Sequence, residues 1–267
     1  MGFLAEVVRE TRATIARPDY LSGLASSKSR ATGPGLRRAV LGAGAAGALV
    51  VEFKRVSPGS DSPLLPVRSA TEFVRSTGRG GVAGYSCVAS EPRFHGSPRD
   101  VADLTATTAL PVLFKDFVID PVQLDAAVRA GAVAVLLIAR LETERLLTTP
   151  LAELADQAHA RRLEVLLEFH DRSELRQVGG VAADMYGVNV RDLDSLRMEP
   201  AVAHATLRAA ASLRPLLGLS GVASPADARR FWDAGVDGIL VGSSVARAND
   251  PSAFLQTLHR PVRKEPA

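Results

Sequence analysis

The sequence has few of the residues that build disulfide frameworks or metal centres. Cys87 is the single cysteine, so the chain cannot form an internal disulfide or offer a thiol cluster to a metal ion. The five histidines are scattered, and no pair has zinc-ligand spacing followed by a third ligand. We therefore predict no metal site, and the cysteine content fits a reducing cytoplasm. Cys87 lies in an apolar run and is expected in the core.

Long apolar runs and blocks of like charge are also absent. The longest apolar run covers residues 132–139, far short of the roughly 18 residues that a membrane-spanning helix needs. The opening segment MGFLAEVVRETRATIARPDY lacks the apolar core of a secretory signal. The 32 basic and 29 acidic residues are dispersed, which favours a small phosphorylated anion over nucleic acid or a membrane as the partner. We expect a cytoplasmic protein that is a monomer.

What the sequence does contain is a series of eight short apolar runs with helical segments between them. The runs are residues 48–53, 82–88, 111–117, 132–139, 163–169, 184–190, 215–220 and 237–241. Most are continuous and rich in Val, Ile and Leu, as expected for parallel strands covered on both faces. A chain of 267 residues with this pattern predicts one closed eight-stranded β/α (TIM) barrel. An open doubly wound sheet is the alternative.

Helix start and stop signals separate these runs. Capping residues precede prolines at Asp120-Pro121, Ser224-Pro225 and Asp250-Pro251. Glycines that allow a left-handed helix end stand at Gly131, Gly179 and Gly235. We therefore expect a helix to follow each strand.

Residues 1–47 precede the first predicted strand and form an N-terminal helical extension. An amphipathic helix is predicted near residues 3–16, followed by a stretch rich in small residues. Residues 42–47, GAGAAG, satisfy the dinucleotide-binding pattern G-x-G-x-x-G, but that motif follows a strand and these residues precede one. We interpret them as a flexible connection. The extension is predicted to cover a barrel of residues 48–262.

Charged and polar side chains interrupt the strands at their C-terminal ends, where barrel enzymes carry their chemistry. They are Glu52 and Lys54 at the end of the first run, Lys115 at the end of the third, Glu168 at the end of the fifth, and Asn189 and Arg191 at the end of the sixth. Glu52 and Lys54 project to the same side of their strand because they are two residues apart. Two lysines and two carboxylates from different strands make an acid–base set. An internal lattice of salt bridges is the alternative.

Two glycine-containing loops follow the seventh and eighth runs. They read Leu219-Ser220-Gly221 and Gly242-Ser243-Ser244. In this architecture, phosphate is bound at these loops by exposed main-chain amides and hydroxyls. Each glycine alone is also explained by a tight turn, but their pairing after strands seven and eight favours phosphate. His170 stands beside Glu168 and is expected to be a surface or capping residue.

Together these motifs resemble the indole-3-glycerol phosphate synthase family over residues 48–258. The matching motifs are VVEFKRVSPGS, VLFKDFVID, AVAVLLIA, VLLEFHDRSEL, YGVNVRDL and AGVDGILVGSSVAR, in the family's order and spacing. The resemblance implies ring closure of 1-(2-carboxyphenylamino)-1-deoxyribulose 5-phosphate to indole-3-glycerol phosphate, with loss of carbon dioxide and water. It implies a carboxy-lyase without a cofactor, in tryptophan biosynthesis or specialised metabolism.

The resemblance also implies roles for individual residues. Lys115 would be the general acid, Glu168 the acid or base for proton transfer and dehydration, and Glu52 an electrostatic support. Asn189 and Arg191 would orient the carboxylated ring and the sugar chain. The phosphate would be bound by Lys54, Gly221, Gly242 and Ser243, with Ser220 and Ser57 as further substrate contacts. Phe94, Phe117 and Leu136 would form the wall of the anthranilate pocket.

One position departs from the family pattern. The family has a glutamate before the Ser-Gly of the seventh strand, and this chain has Leu219. A leucine can neither accept a hydrogen bond nor balance the nearby lysines. The alternatives to the synthase reaction are therefore a paralogue with altered substrate or chemistry, and a non-catalytic binding protein.

Overall fold

Eight parallel strands close into a barrel because the last strand pairs with the first. A computed structural model describes residues 2–24, 35–57 and 69–261. The strands are β1 (Ala48–Phe53), β2 (Val82–Val88), β3 (Val112–Lys115), β4 (Ala134–Ile138), β5 (Glu164–Phe169), β6 (Met185–Asn189), β7 (Leu216–Leu219) and β8 (Gly238–Val241). They follow one another around the barrel in sequence order, and β1 pairs with β8 through Ala48 and Gly238. The predicted barrel is confirmed, and the open sheet is excluded.

Helices surround the barrel and fill the connections between strands. They are α1 (Phe3–Ile15), α2 (Leu36–Gly42), α3 (Ala70–Thr77), α4 (Pro98–Thr107), α5 (Pro121–Arg129), α6 (Ala139–Thr143), α7 (Leu151–Ala160), α8 (Arg172–Gln177), α9 (Pro200–Ala209), α10 (Pro225–Asp233), α11 (Ser243–Arg247) and α12 (Pro251–Leu258). Within the described ranges, no helix is long and apolar enough to cross a membrane.

The predicted helix starts are confirmed, and one predicted helix end is wrong. Side chains of Asp120, Ser224 and Asp250 accept main-chain N–H groups in the first turns of α5, α10 and α12. Gly131 and Gly235 have φ of 80° and 82°, the left-handed conformation that ends a helix. Gly179 does not adopt it. The helix before it, α8, already ends at Gln177, and the chain turns through a hydrogen bond from Val181 N to Val178 O.

The N-terminal helix lies against loops at the C-terminal ends of the strands. The amide of Leu4 donates to Asp194 beyond β6 over 3.2 Å. Arg93, beyond β2, pairs with Glu6 and Glu10 of α1 at 3.0 and 2.9 Å. The helix predicted near residues 3–16 is confirmed, and its role as a cover stays a prediction. Residues 25–34 of the extension and residues 58–60 of VVEFKRVSPGS lie outside the described residues.

The second helix lies at the opposite end of the barrel. The amide of Arg37 donates to Glu164, the first residue of β5, over 2.9 Å. Leu36 is buried in the cluster of side chains that fills the barrel. The GAGAAG segment is the end of α2 and a 3-10 turn, Gly44–Ala46, before β1. It is a short helical connection, and it does not follow a strand as a dinucleotide-binding motif does. Its flexibility stays a prediction.

Side chains that point into the barrel form layers of four from alternate strands. Because the strands tilt against the barrel axis, the next member of a layer lies two strands further on and two residues beyond the residue that the register pairs with the first. Following the register from Glu52 leads to Lys115, Glu168 and Leu219, and then back to Glu52. We call these four residues the upper layer. Beneath them lies the floor layer, which is fully buried and consists of Val50, Leu113, Leu166 and Leu217.

Gly218 of β7 provides a test of how closely the helices pack on the barrel. A Cβ atom at this position would lie 2.2 Å from Cδ1 of Phe231 in α10. We expect Gly218→Ala to lower the free energy of unfolding by about 1–3 kcal/mol, measured by urea denaturation, because the ring must shift in a packed core. Gly180→Ala is the matched control, because no atom lies within 4 Å of its added Cβ. Equal midpoints for the two variants would contradict the prediction.

Candidate active site

A cavity of about 600 Å³ opens at the C-terminal ends of the strands. All predicted site residues line it: Glu52, Lys54, Ser57, Phe94, Lys115, Phe117, Leu136, Glu168, Asn189, Arg191, Ser220, Gly221, Gly242 and Ser243. The strands bring them together because each stands in the middle of a strand (Leu136), near its C-terminal end, or in the loop that follows. Their placement agrees with the sequence analysis, whereas their chemical roles stay predictions.

Glu52 binds both lysines of the site. Its Oε1 lies 2.7 Å from Nζ of Lys54, and its Oε2 lies 3.6 Å from Nζ of Lys115. Burial alone would raise the pKa of Glu52, but the two lysine charges outweigh burial and lower it to about 2. Glu52 is therefore ionised at neutral pH and serves as an anion that orders two cations.

Lys115 is kept in its charged form by the carboxylates around it. Burial would lower the pKa of Lys115, but the charges of Glu52 and Glu168 raise it above its ordinary value. Its ammonium group therefore carries a proton that it can donate into the cavity. A protonated lysine stabilises negative charge that develops on a neighbouring oxygen.

Glu168 has one oxygen bound and one oxygen free. Its Oε1 accepts a hydrogen bond from Nδ2 of Asn189 over 2.9 Å. Its Oε2 is buried and has no hydrogen-bond partner in the described part of the chain. Burial raises the pKa of Glu168, while Lys115 and Asn189 partly oppose that rise. A buried carboxylate oxygen without a partner is costly in a folded protein, and a ligand is one way to satisfy it.

The ion pairs of the site do not form a complete lattice. In the described residues, Glu52 pairs with both lysines, while Glu168 lies within 4.0 Å of no cationic group. The alternative of a purely structural salt-bridge lattice therefore leaves one carboxylate unexplained. The fourth side chain of the upper layer is Leu219, which is buried. It packs against Gly187 of β6, where an added Cβ would lie 2.7 Å from Cδ1 of Leu219.

The loops after β7 and β8 form the polar end of the cavity. Ser220 and Gly221 have φ of 64° and 78°, a conformation that turns the chain sharply. Gly242 packs closely on β1, because a Cβ there would lie 2.9 Å from Oε1 and 3.0 Å from Cβ of Glu52. The hydroxyls of Ser57 and Ser243 are 3.0 Å apart. This end offers hydroxyls and main-chain groups beside Lys54, the donor set that phosphate requires.

The opposite end of the cavity is apolar. The rings of Phe94 and Phe117 lie 6.0 Å apart between centroids, and Leu136 lines the same cavity. Val88 and Ile138, at the C-terminal ends of β2 and β4, also line the cavity and were not predicted. An apolar slot that ends in cationic and polar groups fits an aromatic acid with a phosphate tail.

Sequence reasoning also missed Arg230 and Arg247 at the rim of the cavity. Both are exposed, and Arg230 pairs with Asp227 at 3.2 Å. They lie in α10 and α11, so a search of strand ends could not find them. Their charge adds to the attraction of the cavity for anions.

The structure corrects the prediction for His170. The residue is neither on the surface nor a helix cap, because it is 4% exposed and its ring lies between the ends of β5 and β6. Asp171, the next residue, caps α8 instead. Cys87 is buried as predicted, and burial raises the pKa of its thiol. Among the residues that the structure describes, no group of three His, Cys, Asp or Glu could hold a metal ion.

The fold and the site define a class of β/α-barrel proteins with a lysine–carboxylate layer inside the mouth and a polar end at the seventh and eighth loops. A model of the family described as indole-3-glycerol phosphate synthase matches residues 4–258. The chain belongs to the indole-3-glycerol phosphate synthase family. It is therefore a lyase-type enzyme, and the resemblance seen in the sequence is confirmed.

Individual relatives support this assignment. Two proteins named indole-3-glycerol phosphate synthase, from Staphylococcus aureus strains bovine RF122 / ET3-1 and Newman, are 35% and 34% identical to this chain. Each match spans 211 residues, 79% of this chain and 79% of the relative. A solved thiamine phosphate pyrophosphorylase from Pyrococcus furiosus is similar with a TM-score of 0.58 and 19% identity, over 84% of this chain and 96% of that chain. That likeness concerns the fold alone.

Proposed function

We propose that this chain converts 1-(2-carboxyphenylamino)-1-deoxyribulose 5-phosphate to indole-3-glycerol phosphate, releasing carbon dioxide and water. The observation that carries the proposal is the upper layer, where a charged Lys115 and a Glu168 with a free oxygen face one cavity. A cation that donates a proton and a carboxylate that accepts one are the groups this reaction needs. The reaction is that of a carboxy-lyase and belongs to tryptophan biosynthesis or to a specialised pathway that uses indole.

The substrate would bind with its aromatic ring between Phe94 and Phe117 and its phosphate at the loops after β7 and β8. Lys54, Ser243 and the main-chain amides of Gly221 and Gly242 would bind the phosphate. This orientation places the ketone of the sugar chain near the upper layer. Asn189 and Arg191 would then contact the carboxylate and the hydroxyls between the two ends.

In the first chemical step, the ring carbon that bears the carboxylate attacks the ketone carbon and forms the new carbon–carbon bond. Lys115 donates a proton to the ketone oxygen, which becomes a hydroxyl. The carboxylate leaves as carbon dioxide, and its bonding electrons restore the aromatic ring. The charge of Glu52 keeps Lys115 in place and protonated for this step.

In the second step, the hydroxyl leaves as water and the pyrrole ring is completed. Glu168 would accept the proton lost from the carbon beside the nitrogen, and a protonated group of the site would supply a proton to the departing hydroxyl. Lys115, once reprotonated, is placed to do so. The buried Oε2 of Glu168 is available as the acceptor because it has no partner in the described residues.

Leu219 favours a second candidate, a paralogue that acts on a related amino-ketose phosphate. An apolar side chain in the upper layer removes a hydrogen-bond acceptor from the middle of the cavity. A purely binding role is less well supported, because a site without turnover has no use for two lysines and two carboxylates that are costly to bury. The monomeric state, the cytoplasmic location and the absence of a nucleic-acid partner stay predictions.

Replacing the leucine by a carboxylate tests the proposed reaction and the role of this position together. We expect the wild-type protein to form indole-3-glycerol phosphate, and Leu219→Glu to raise kcat about tenfold, because a second proton acceptor would join the upper layer. The measurement is product fluorescence with the purified proteins. Leu219→Gln is the matched control, with the same shape and no charge.

An equal gain with Leu219→Gln would contradict the proton-transfer explanation and point to hydrogen bonding alone. No product from any variant would contradict the proposed reaction. In that case, assays with ring-substituted and related amino-ketose phosphates would distinguish an altered substrate from a binding role.

A further inference from the structure

A buried histidine links the two polar strand ends that hold Glu168 and Asn189. His170 follows β5 two residues after Glu168. Its Nδ1 lies 2.8 Å from the main-chain oxygen of Asn189, and its Nε2 lies 3.1 Å from Oε2 of Glu199, at the start of α9. The side chain of Asn189 in turn donates to Glu168 over 2.9 Å. A continuous chain of contacts therefore runs from Glu199 through His170 and Asn189 to Glu168.

The imidazole does not touch the substrate cavity. Glu168 and Asn189 line that cavity, whereas His170 and Glu199 do not. His170 is 4% exposed, while the side chain of Glu199 is 40% exposed. Any influence of His170 on the reaction is therefore indirect, and the contact that joins its ring to a residue of the cavity is the one to Asn189.

The ring replaces a main-chain donor at the point where the strand ladder ends. β5 ends at Phe169, and the amide of His170 donates to Oε2 of Glu174 over 2.8 Å. That amide is consequently not available to Asn189. Because a carbonyl oxygen can only accept, Nδ1 of His170 must carry the hydrogen that binds it. The His170 side chain thus adds one hydrogen bond between β5 and β6 beyond the last main-chain pair of the two strands.

We propose that His170, oriented by Glu199, is a positioning residue that fixes Asn189 so that its amide holds Glu168 with Oε2 free for the reaction. The peptide that joins Asn189 to Val190 is held on its β7 side by the amide of Val190, which donates to the main-chain oxygen of Leu219 over 3.0 Å. On the β5 side, the ring of His170 is the contact that holds the oxygen of the same peptide. Oδ1 of Asn189 accepts the amide of Arg191 over 3.0 Å, so a turn of the Asn189 backbone would disturb both hydrogen bonds of its side chain. The inference rests on the proposed function for its kinetic consequence, but the geometry can be measured without turnover.

The kinetic test compares substitutions at His170. His170→Phe keeps a ring of similar size and removes both ring nitrogens, and with them the hydrogen bond to the Asn189 oxygen. We expect kcat to fall about 10- to 100-fold with KM changed less than about threefold. His170→Asn supplies an amide donor in place of Nδ1 and should recover most of the lost kcat. His204→Phe in α9 is the matched control and should leave kcat unchanged. Urea denaturation of each variant measures stability separately.

The spectroscopic test uses nitrogen NMR of the five histidine rings and of the side-chain amide of Asn189. The ring signals that are lost in His170→Phe belong to His170. We expect these signals to show a hydrogen on Nδ1 in the wild-type protein. The Asn189 amide signal should shift in His170→Phe and in Glu199→Ala, and stay in place in His204→Phe. These shifts are expected whether or not the wild-type protein turns over the proposed substrate.

Three results would overturn the inference: wild-type kcat in folded His170→Phe, an unprotonated Nδ1, or an Asn189 signal that does not respond. A loss of stability with unchanged kcat would show a structural role only. Absence of turnover in the wild-type protein would instead count against the proposed function, and the NMR shifts alone would then decide the positioning role.

Discussion

Lys115→Ala is expected to lower kcat about 1,000-fold or more while leaving the protein folded. The substitution removes the group that would protonate the ketone oxygen, and general acid catalysis with charge stabilisation contributes effects of this size. It also leaves Glu52 with Lys54 as its single lysine partner. The measurement is single-turnover formation of the fluorescent product at saturating substrate.

Two further lysine variants separate proton donation from charge. Lys115→Arg keeps the cation but releases its proton far less readily, so kcat should stay low while KM changes little. Lys54→Ala is the matched control, because Lys54 also pairs with Glu52 but stands at the phosphate end. It should raise KM more than it lowers kcat. A Lys115→Arg enzyme with near wild-type kcat would show that charge alone is sufficient.

Glu168→Gln is expected to lower kcat about 100- to 1,000-fold and to change the pH profile. A base works in its deprotonated form, and burial raises the pKa of Glu168 above its ordinary value of 4.5. Wild-type kcat should therefore fall as the pH drops through this raised pKa. In Glu168→Gln the low remaining activity should lack that acid limb, which a pH series of kcat measures directly.

Glu52→Gln is the matched carboxylate variant for this experiment. The pKa of Glu52 is lowered to about 2 by the two lysines, after they outweigh the effect of burial. Glu52 thus stays ionised throughout the range in which Glu168 titrates. Glu52→Gln should lower kcat, because loss of the Glu52 charge lowers the pKa of Lys115. The variant should keep the fall of kcat at acid pH. An acid limb that survives in Glu168→Gln would assign the titration to another group.

The barrel could be predicted from the sequence because its strands are covered on both faces. Such strands leave continuous apolar runs, and the eight runs coincide with the eight strands to within one or two residues at each end. Two of the overestimates, at the starts of β6 and β8, have a physical cause. Asp184 and Asp237 precede β6 and β8, where their side chains accept amides of Val165 and Leu216 from the neighbouring strands.

The gathering of the site residues could also be predicted, because polar residues at strand ends of a parallel barrel share one mouth. What the sequence could not reveal depends on where helices lie. Arg230 and Arg247 reach the cavity from α10 and α11. The partner of His170 is Glu199, 29 residues away and brought near by α9, so no local pattern distinguished this buried histidine from a surface one.

The charge composition of the mouth bears on how a ligand is captured. Glu52, Lys54, Lys115 and Glu168 cancel when all four are ionised, so this set of lysines and carboxylates carries no net charge before the ligand arrives, and Leu219 adds none. The long-range attraction for a phosphorylated acid would then come from the arginines of the cavity, Arg191 and the exposed Arg230 and Arg247 at the rim. Salt screens such exposed charges far more than buried pairs. Added salt should therefore slow the association rate while leaving the rate of the bound reaction almost untouched.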